Sequence, residues 1–287
     1  MAFCKLGHNT AMGSTLPHGT YAPGALTRLI LLLSQNTPLG RGKARKLMAA
    51  WVRSLSGQQL DVRLFDQNVR LSMHNNSSEI KALMNPRRYS HQEFAFCAAH
   101  LPKQAGVFVD IGANAGLFSL GVLQSMSGGN LIAVEPQPEL CIRLRDNLQS
   151  FNNEAADRPT IHILQSAIGA QAGELNLSVP EQLGQASARP LEGSRTLSVP
   201  VRPLLDVLVE QELQKVDVLK VDVEGFEDEV LLPFFETAPK TLWPQAVVLE
   251  HCHRDRWERD CEAGLLAFGY NLVRKDRTNL MFVRGSA

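Results

Sequence analysis

The chain reads as an α/β protein with a seven-stranded, mostly parallel sheet, helices on both faces and a closing antiparallel β-hairpin, preceded by an α+β extension. Three features predict this. From residue 106 short β-branched runs alternate with helical periods, the pattern of a parallel sheet with covering helices. The helices between the runs carry their own start and stop signals. The last stretch, Tyr270–Arg274, a Lys275-Asp276-Arg277 turn and Asn279–Arg284, has the pattern of a hairpin and not of another βαβ unit.

The spacing predicts strands at Val107–Ile111, Leu131–Glu135, Ile161–Leu164, Val216–Val223 and Ala246–His251. A glycine turn leads into a helix at Leu117–Met126. Pro138 stands where a first helical residue belongs and is followed by the stripe Leu140, Leu144 and Leu148. Phe226, Val230 and Leu231 mark another helix, with Glu227, Asp228 and Glu229 in its first turn and Pro233 expected to end it. Trp257, Cys261 and Leu265 mark a third, closed by Gly269. Ahead of these, residues 1–105 form the extension, read as a cap or lid on a domain spanning 106–287. Its first twenty residues look frayed. Leu26–Leu33 and Arg41–Leu55 read as helices broken at Thr37-Pro38-Leu39-Gly40, Gln59–Phe65 and Asn68–Met73 as a hairpin turning at Asp66-Gln67, and His91–His100 as a helix. Gln185–Ser194, rich in small residues, reads as a loop.

Composition narrows the function classes. Of 287 residues, 44% are hydrophobic, enough for one large core. Lys plus Arg and Asp plus Glu both number 29, and no long run of one sign marks a nucleic-acid track, so nucleic acid is not the expected partner. The five cysteines are scattered and never spaced as CxxC, against a disulfide framework or zinc knuckle and in keeping with a reducing cytoplasm. Leu29–Leu33 is too short to span a membrane and lacks a signal peptide's cleavage site. An amphipathic helix packed on the domain is the commoner reading of residues 26–55, with peripheral membrane contact a second one suggested by Arg41, Lys43, Arg45 and Lys46.

Three segments carry chemistry. In Val107–Gly116 a buried strand runs through Asp110, Gly112, Ala113, Asn114 and Gly116 into a helix N-terminus, where glycines let backbone approach a ligand. A dinucleotide site would place its second glycine where Asn114 stands. Asp110 would repel a dinucleotide's phosphates and attract the amino group of S-adenosylmethionine. Next, Leu131–Pro136 ends in Glu135 at the sheet's carboxyl edge, where a carboxylate can accept two ribose hydroxyls or stand in solvent. Finally, alternation through Asp217–Gly225 sets Val218, Lys220, Asp222 and Glu224 on one face, either as a site or as a structural ion pair of Lys220 with Asp222 or Glu224.

Together, Asp110-Ile111-Gly112-Ala113-Asn114-Ala115-Gly116, Glu135-Pro136 and Leu219-Lys220-Val221-Asp222-Val223-Glu224-Gly225 resemble the FkbM family of S-adenosylmethionine-dependent methyltransferases. The likeness runs from about residue 87 to 284 and takes in Tyr89, Glu93, Ser166-Ala167-Ile168-Gly169 and Asn279. It implies a Rossmann-like class I methyltransferase fold with S-adenosylmethionine as cofactor. Asp110, Gly112, Ala113, Asn114 and Gly116 would line its methionine part, Glu135 and Pro136 its ribose, and Ser166 with Ala167 its adenine. Asp222 and Glu224 would face the transfer centre, and the acceptor would be a hydroxyl on a small molecule, sugar or lipid-linked group. The chain departs from the family at Pro203-Leu204-Leu205-Asp206, where Thr-Leu-Asp is usual, so a polar contact at that helix start would be lost.

Alternation across Glu250-His251-Cys252-His253 sends His251 and His253 to one face and Cys252 to the other, and one strand cannot close a tetrahedral metal site, so no metal is expected. Glu250 or His251 could position or deprotonate an acceptor hydroxyl, which leaves Asp222, Glu224 and His251 as candidate bases. Two other classes stay open: an NAD(P)-linked oxidoreductase, disfavoured by Asn114 and the hairpin, and a non-catalytic S-adenosylmethionine-binding module, which would have no need of the acids at Asp222 and Glu224.

Overall fold

A computed structural model describes residues 16–149, 151, 158–181, 183, 186 and 194–285. Helices α1 (Ala25–Asn36) and α2 (Gly42–Ser56) are separated by a 3-10 turn at Pro38–Gly40, whose proline has no N–H with which to continue a helix. Strands β1 (Gln59–Leu64) and β2 (Gln67–Ser72) then form a hairpin. Its turn residues are Phe65 and Asp66, at φ 48 and 55, because a two-residue turn that matches strand twist needs left-handed backbone at both central positions. The turn expected at Asp66-Gln67 was one residue late. An unanticipated helix follows, α3 (Ser77–Met84), started by Asn76, whose Oδ1 accepts from the N–H groups of Ser78 and Glu79. Helix α4 (His91–His100) matches its expected span.

The parallel strands are β3 (Val107–Ile111), β4 (Asn130–Val134), β5 (Thr160–Leu164), β9 (Val218–Val221) and β10 (Ala246–Glu250). Between them run α5 (Leu117–Leu123), α6 (Pro138–Gln149), α7 (Leu204–Glu210) and α8 (Glu227–Thr237). Helix α9 (Cys261–Ala267) leads to the hairpin strands β11 (Tyr270–Lys275) and β12 (Asn279–Arg284). The sheet order is β11-β12-β10-β9-β3-β4-β5, with β12 antiparallel to β10 and to β11. This is the Rossmann-like, mostly parallel seven-stranded arrangement expected from the sequence. The chain leaves β3 first toward β4 and later toward β9, so a crevice opens at the carboxyl end of β3, where open α/β sheets bind ligands.

Alternation divides the core. Phe108, Val218, Ala246 and Val248 face a layer built from α5, α6 and the N-terminal residues Ile30, Val52, Leu60, Leu71 and Leu83. Val109, Ile111, Leu219, Val221 and Val247 face α7, α8 and α9. Strands buried on both faces explain the nearly continuous apolar runs. A smaller sheet of β6 (Ala167–Ile168), β7 (Gly173–Val179) and β8 (Arg195–Arg202), not expected from the sequence, packs Leu177 and Val199 over Leu140 of α6.

Several expected boundaries move. Pro233 lies inside α8 and does not end it. The proline gives up one backbone bond, and the burial of Phe234 and Phe235 immediately after it carries the helix on. Trp257 precedes α9, whose start is set by Asp260 accepting from the N–H groups of Glu262 and Ala263. β9 is four residues long and stops before Asp222, so strand alternation does not reach the acids. Helix α7 starts at Pro203 with no side-chain cap, in line with the polar contact expected to be lost there. The loop read at Gln185–Ser194 falls, apart from Ala186 and Ser194, outside the described residues, as do residues 1–15 of the segment read as frayed.

The closing hairpin is anchored by an aromatic cluster. The Phe235 ring lies 5.2 Å from Trp243 and 5.3 Å from both Phe268 and Tyr270, and the Tyr270 hydroxyl donates to the Pro244 carbonyl at 2.6 Å. Phe235→Ala is expected to lower unfolding free energy by about 3–5 kcal/mol, measurable by urea denaturation.

Candidate active site

The turn after β3 is shaped by close packing. Gly112 has φ 78, and a Cβ there would sit 1.8 Å from the Asp222 carbonyl oxygen, so only glycine lets the β3 and β9 loops meet. The N–H groups of Gly112 and Ala113 both donate to the Val134 carbonyl at 3.0 Å, tying the turn to β4. Asn114 adopts left-handed backbone at φ 55, and its Oδ1 accepts from Ala115 N–H and from the Asn76 amide. Asn76 thereby joins the extension to the glycine turn. Gly116 serves α6: a Cβ there would meet Leu144 at 2.7 Å.

A cavity of about 810 Å³ lies at this sheet edge. Gly112, Ala113 and Asn114 form part of its wall, Glu135 and Pro136 another, and Ser166 and Ala167 a third. Asp222 and Glu224 also line it. Asp110, Gly116 and His251, which the sequence grouped with these residues, do not.

Asp110 is fully buried behind the wall. Its Oδ2 accepts from the Ser119 hydroxyl at 2.7 Å and its Oδ1 from Lys220 Nζ at 3.2 Å. Lys220 stands directly opposite Asp110 in the strand register, lies 3.4 Å from Asp222 Oδ2, and sits 5.0 Å above the Phe118 ring. Burial works against the ammonium charge, but Asp110 and Asp222 outweigh it and push the Lys220 pKa up. Of the two partners expected for Lys220, Asp222 is one and Glu224 is not; the second acid is Asp110, which the sequence did not pair with it, and Asp222 is the cavity-facing end of the network.

Glu135 follows β4 and is 4% exposed. Its Oε2 accepts from Asn114 N–H at 2.8 Å and its Oε1 from Gln137 N–H at 3.0 Å, which leaves each oxygen a further lone pair. Burial pushes its pKa up to about 7. Beyond β9, Glu224 takes left-handed backbone at φ 58, and its Oε2 lies 3.0 Å from His253 Nε2. Burial, then the neighbouring Asp222 and Glu250 carboxylates, push Glu224 up to about 8. Glu250 at the end of β10 is pushed up by burial and by Asp222, and its Oε2 is buried with no hydrogen-bond partner among the described residues.

The acidic loop is held by α8. Glu227 Oε1 accepts from the N–H groups of Val223 and Gly225, and its Oε2 accepts from Trp257 Nε1 at 2.6 Å. Asp228 Oδ2 accepts from the N–H groups of Glu258 and Arg259. Two side chains at one helix start therefore fix both the Asp222–Gly225 turn and the segment after β10.

His251 differs from expectation. β10 ends at Glu250, so alternation does not govern the next residues, and His251 Nε2 is 3.1 Å from the Asp276 carbonyl in the closing hairpin. Cys252 and His253 line the cavity instead. No local signal set His253 above His251: the close approach at Gly225, where a Cβ would meet His253 Cβ at 3.1 Å, exists only in the folded chain. The far wall joins other distant residues: Asn279 Nδ2 donates to Glu93 Oε1 at 2.8 Å, and the Tyr89 hydroxyl is 3.0 Å from that of Ser78.

Glu135 and Glu224 bind protons more tightly in the folded chain than at the ordinary 4.5. Their contribution to stability is therefore complete below about pH 4.5 and is lost as pH rises through about 7 and 8. The melting temperature of the ligand-free protein is expected to fall from about pH 5 to pH 8.5, and Glu224→Gln, which cannot ionise, to flatten that fall in a calorimetric pH series.

The Methyltransferase FkbM domain matches residues 110–271, more than half of the chain. The methyltransferase sdnD of Sordaria araneosa is 30% identical over 164 residues, 46% of this chain and 61% of that protein. The 2-O-methyltransferase NoeI of Sinorhizobium fredii (strain NBRC 101917 / NGR234) is 27% identical over 158 residues, 49% of this chain and 62% of that protein. The chain thus spans about three-fifths of the length of these curated relatives. Among solved structures, magnesium protoporphyrin IX methyltransferase (ChlM) from Synechocystis PCC 6803 with bound SAM is similar at 11% identity and TM-score 0.42, over 73% of this chain and 85% of that one. With its glycine turn, strand-end Glu135 and Asp222–Gly225 loop all inside the matched span, the chain belongs to the FkbM methyltransferase family.

Proposed function

We propose that the protein is an S-adenosylmethionine-dependent methyltransferase acting on a hydroxyl of a small molecule, sugar or lipid-linked acceptor. The observation that carries this reading is the pair of polar groups on adjoining strand ends. Ser166 Oγ is buried on the cavity wall with no hydrogen-bond partner among the described residues, and Glu135 at the adjoining strand end keeps a further lone pair on each oxygen. A nucleoside needs partners of this kind for its base and its ribose hydroxyls. The glycine turn adds a surface where backbone can approach a ligand closely.

In this reading Glu135 holds the ribose, Ser166 and Ala167 the adenine end, and Gly112, Ala113, Asn114 and Asp222 the methionine end. Asp110 acts from behind by fixing Lys220, and so Asp222, in place. The bound cofactor supplies an electrophilic methyl group on a sulfonium centre. The chain's own work is to align an acceptor oxygen with it, exclude water and take up the hydroxyl proton. Glu224 is the base favoured by its position and its pKa of about 8, with the His253 ring nitrogen 3.0 Å from its Oε2. The extension, residues 1–105, acts as the lid: Asn76 bonds the glycine turn, and Arg41, Arg45 and Tyr89 line the cavity. The name of NoeI, a 2-O-methyltransferase, supports oxygen as the acceptor atom.

Calorimetric titration of the full chain with S-adenosylhomocysteine is expected to show micromolar binding, about −8 kcal/mol, weakened at least about tenfold by Glu135→Ala. A folded wild-type protein that does not bind overturns the cofactor assignment. With an acceptor identified by a mass-shift screen, Glu224→Gln is expected to lower the transfer rate about a hundredfold while S-adenosylhomocysteine affinity holds. An unchanged rate would move the base elsewhere.

A further inference from the structure

Residues 25–56 carry Arg28, Arg41, Lys43, Arg45, Lys46 and Arg53 and no Asp or Glu. Helix α1 buries Ile30 and Leu31 against the protein and leaves Leu26, Leu29 and Leu32 exposed by 56%, 51% and 59%. Helix α2 buries Met48, Ala49 and Val52 and exposes Leu47, Trp51 and Leu55, which four-residue steps place on one face. Most of the large apolar side chains left exposed among the described residues lie on these two helices and their flanks.

Exposed apolar residues scattered singly need no explanation, but a concentration of them marks a contact surface. Here they are interleaved with cations and free of acids, the combination that suits a lipid headgroup region: Leu and Trp enter the acyl boundary while Lys and Arg meet phosphates. A second copy of the chain fits poorly, since it would set this basic surface against itself. No helix among the described residues is long and apolar enough to cross a membrane, so the contact would lie along the surface.

The hairpin also reaches the site. Gly40, Arg41 and Arg45 line the large cavity. Arg41 further lines, with Arg87 and Arg88, a recess of about 210 Å³ that shares Arg41, Asn85 and Arg88 with that cavity. None of these three guanidinium groups has a side-chain hydrogen bond or ion pair among the described residues. Such a group of like charges calls for an anion, and guanidinium forks suit phosphate oxygens.

We propose that the α1–α2 hairpin seats this protein on an anionic lipid surface, with Arg41, Arg87 and Arg88 taking a headgroup phosphate at the edge of the cavity. If the methyltransferase reading holds, on which this last step rests, the acceptor is drawn from the lipid phase.

The test is vesicle flotation of the full chain without cofactor, using phosphatidylcholine vesicles with and without phosphatidylglycerol. Binding to the anionic vesicles is expected, at least about tenfold weaker on phosphatidylcholine alone and in high salt. The pair Leu29→Glu, Leu32→Glu should abolish it, and Lys43→Glu with Lys46→Glu should lower it about tenfold or more. Melting curves and S-adenosylhomocysteine titration of the same variants should match wild type, which shows that they fold. Wild-type protein that stays unbound, or binds both vesicles equally, overturns the proposal. So does a wild-type dimer in light scattering that Leu29→Glu, Leu32→Glu dissociates. Flotation without S-adenosylhomocysteine binding would overturn the methyltransferase reading and leave the lipid contact standing.

Discussion

Lys220 and Asp110 face each other across β9 and β3 on the side of the sheet that otherwise buries Phe108 and Val218. A charge in that layer is costly unless it is paired and hydrogen-bonded, and breaking such a pair costs about 3–5 kcal/mol. Every partner is supplied. Asp110 takes one bond from Lys220 and one from Ser119 of α5, and Lys220 reaches on to Asp222. The network therefore locks the two central strands and helix α5 to each other at the point where the sheet order reverses. It also carries charge from the dry interior to the cavity wall, because Asp222 is its only half-exposed member.

The acids around the cavity follow from that arrangement. With Asp222 placed by Lys220, the next residues turn through left-handed backbone at Glu224 and Gly225, and Glu227 closes the turn by accepting from the N–H groups of Val223 and Gly225. Glu224 and Glu250 are then crowded onto Asp222, and crowding together with burial raises both pKa values. A carboxylate poised near neutrality is thus produced by packing, with His253 brought alongside by the same α8 start that anchors Trp257.

Much of the fold was legible in the sequence because it rests on local regularities. Five parallel strands, their covering helices and the closing hairpin each announced themselves through periodicity, a capping residue or a turn. Where local preference and packing competed, packing decided: α8 continues through Pro233, and β9 stops well short of its β-branched run. Helix α3 and the small sheet of β6, β7 and β8 are short elements whose stability comes from what they pack against, and their periodicity alone was too brief to show.

The site divides the same way. Sequence by itself brought Gly112, Asn114, Glu135, Asp222 and Glu224 together, because each ends or follows a parallel strand and all such ends lie on one edge of the sheet. Family likeness added Ser166 to them and took in Tyr89, Glu93 and Asn279 without giving these three a role; all four line the cavity. Tertiary structure alone decided which atoms face the cavity. Asp110 turns inward because Lys220 is its register partner, Gly116 serves the approach of α6, and His251 gives way to His253 because alternation ends with the strand at Glu250. Periodicity orients a side chain only while the backbone stays regular, and Glu135, Asp222, Glu224 and His253 sit past the ends of their strands, where contacts between distant segments set their direction.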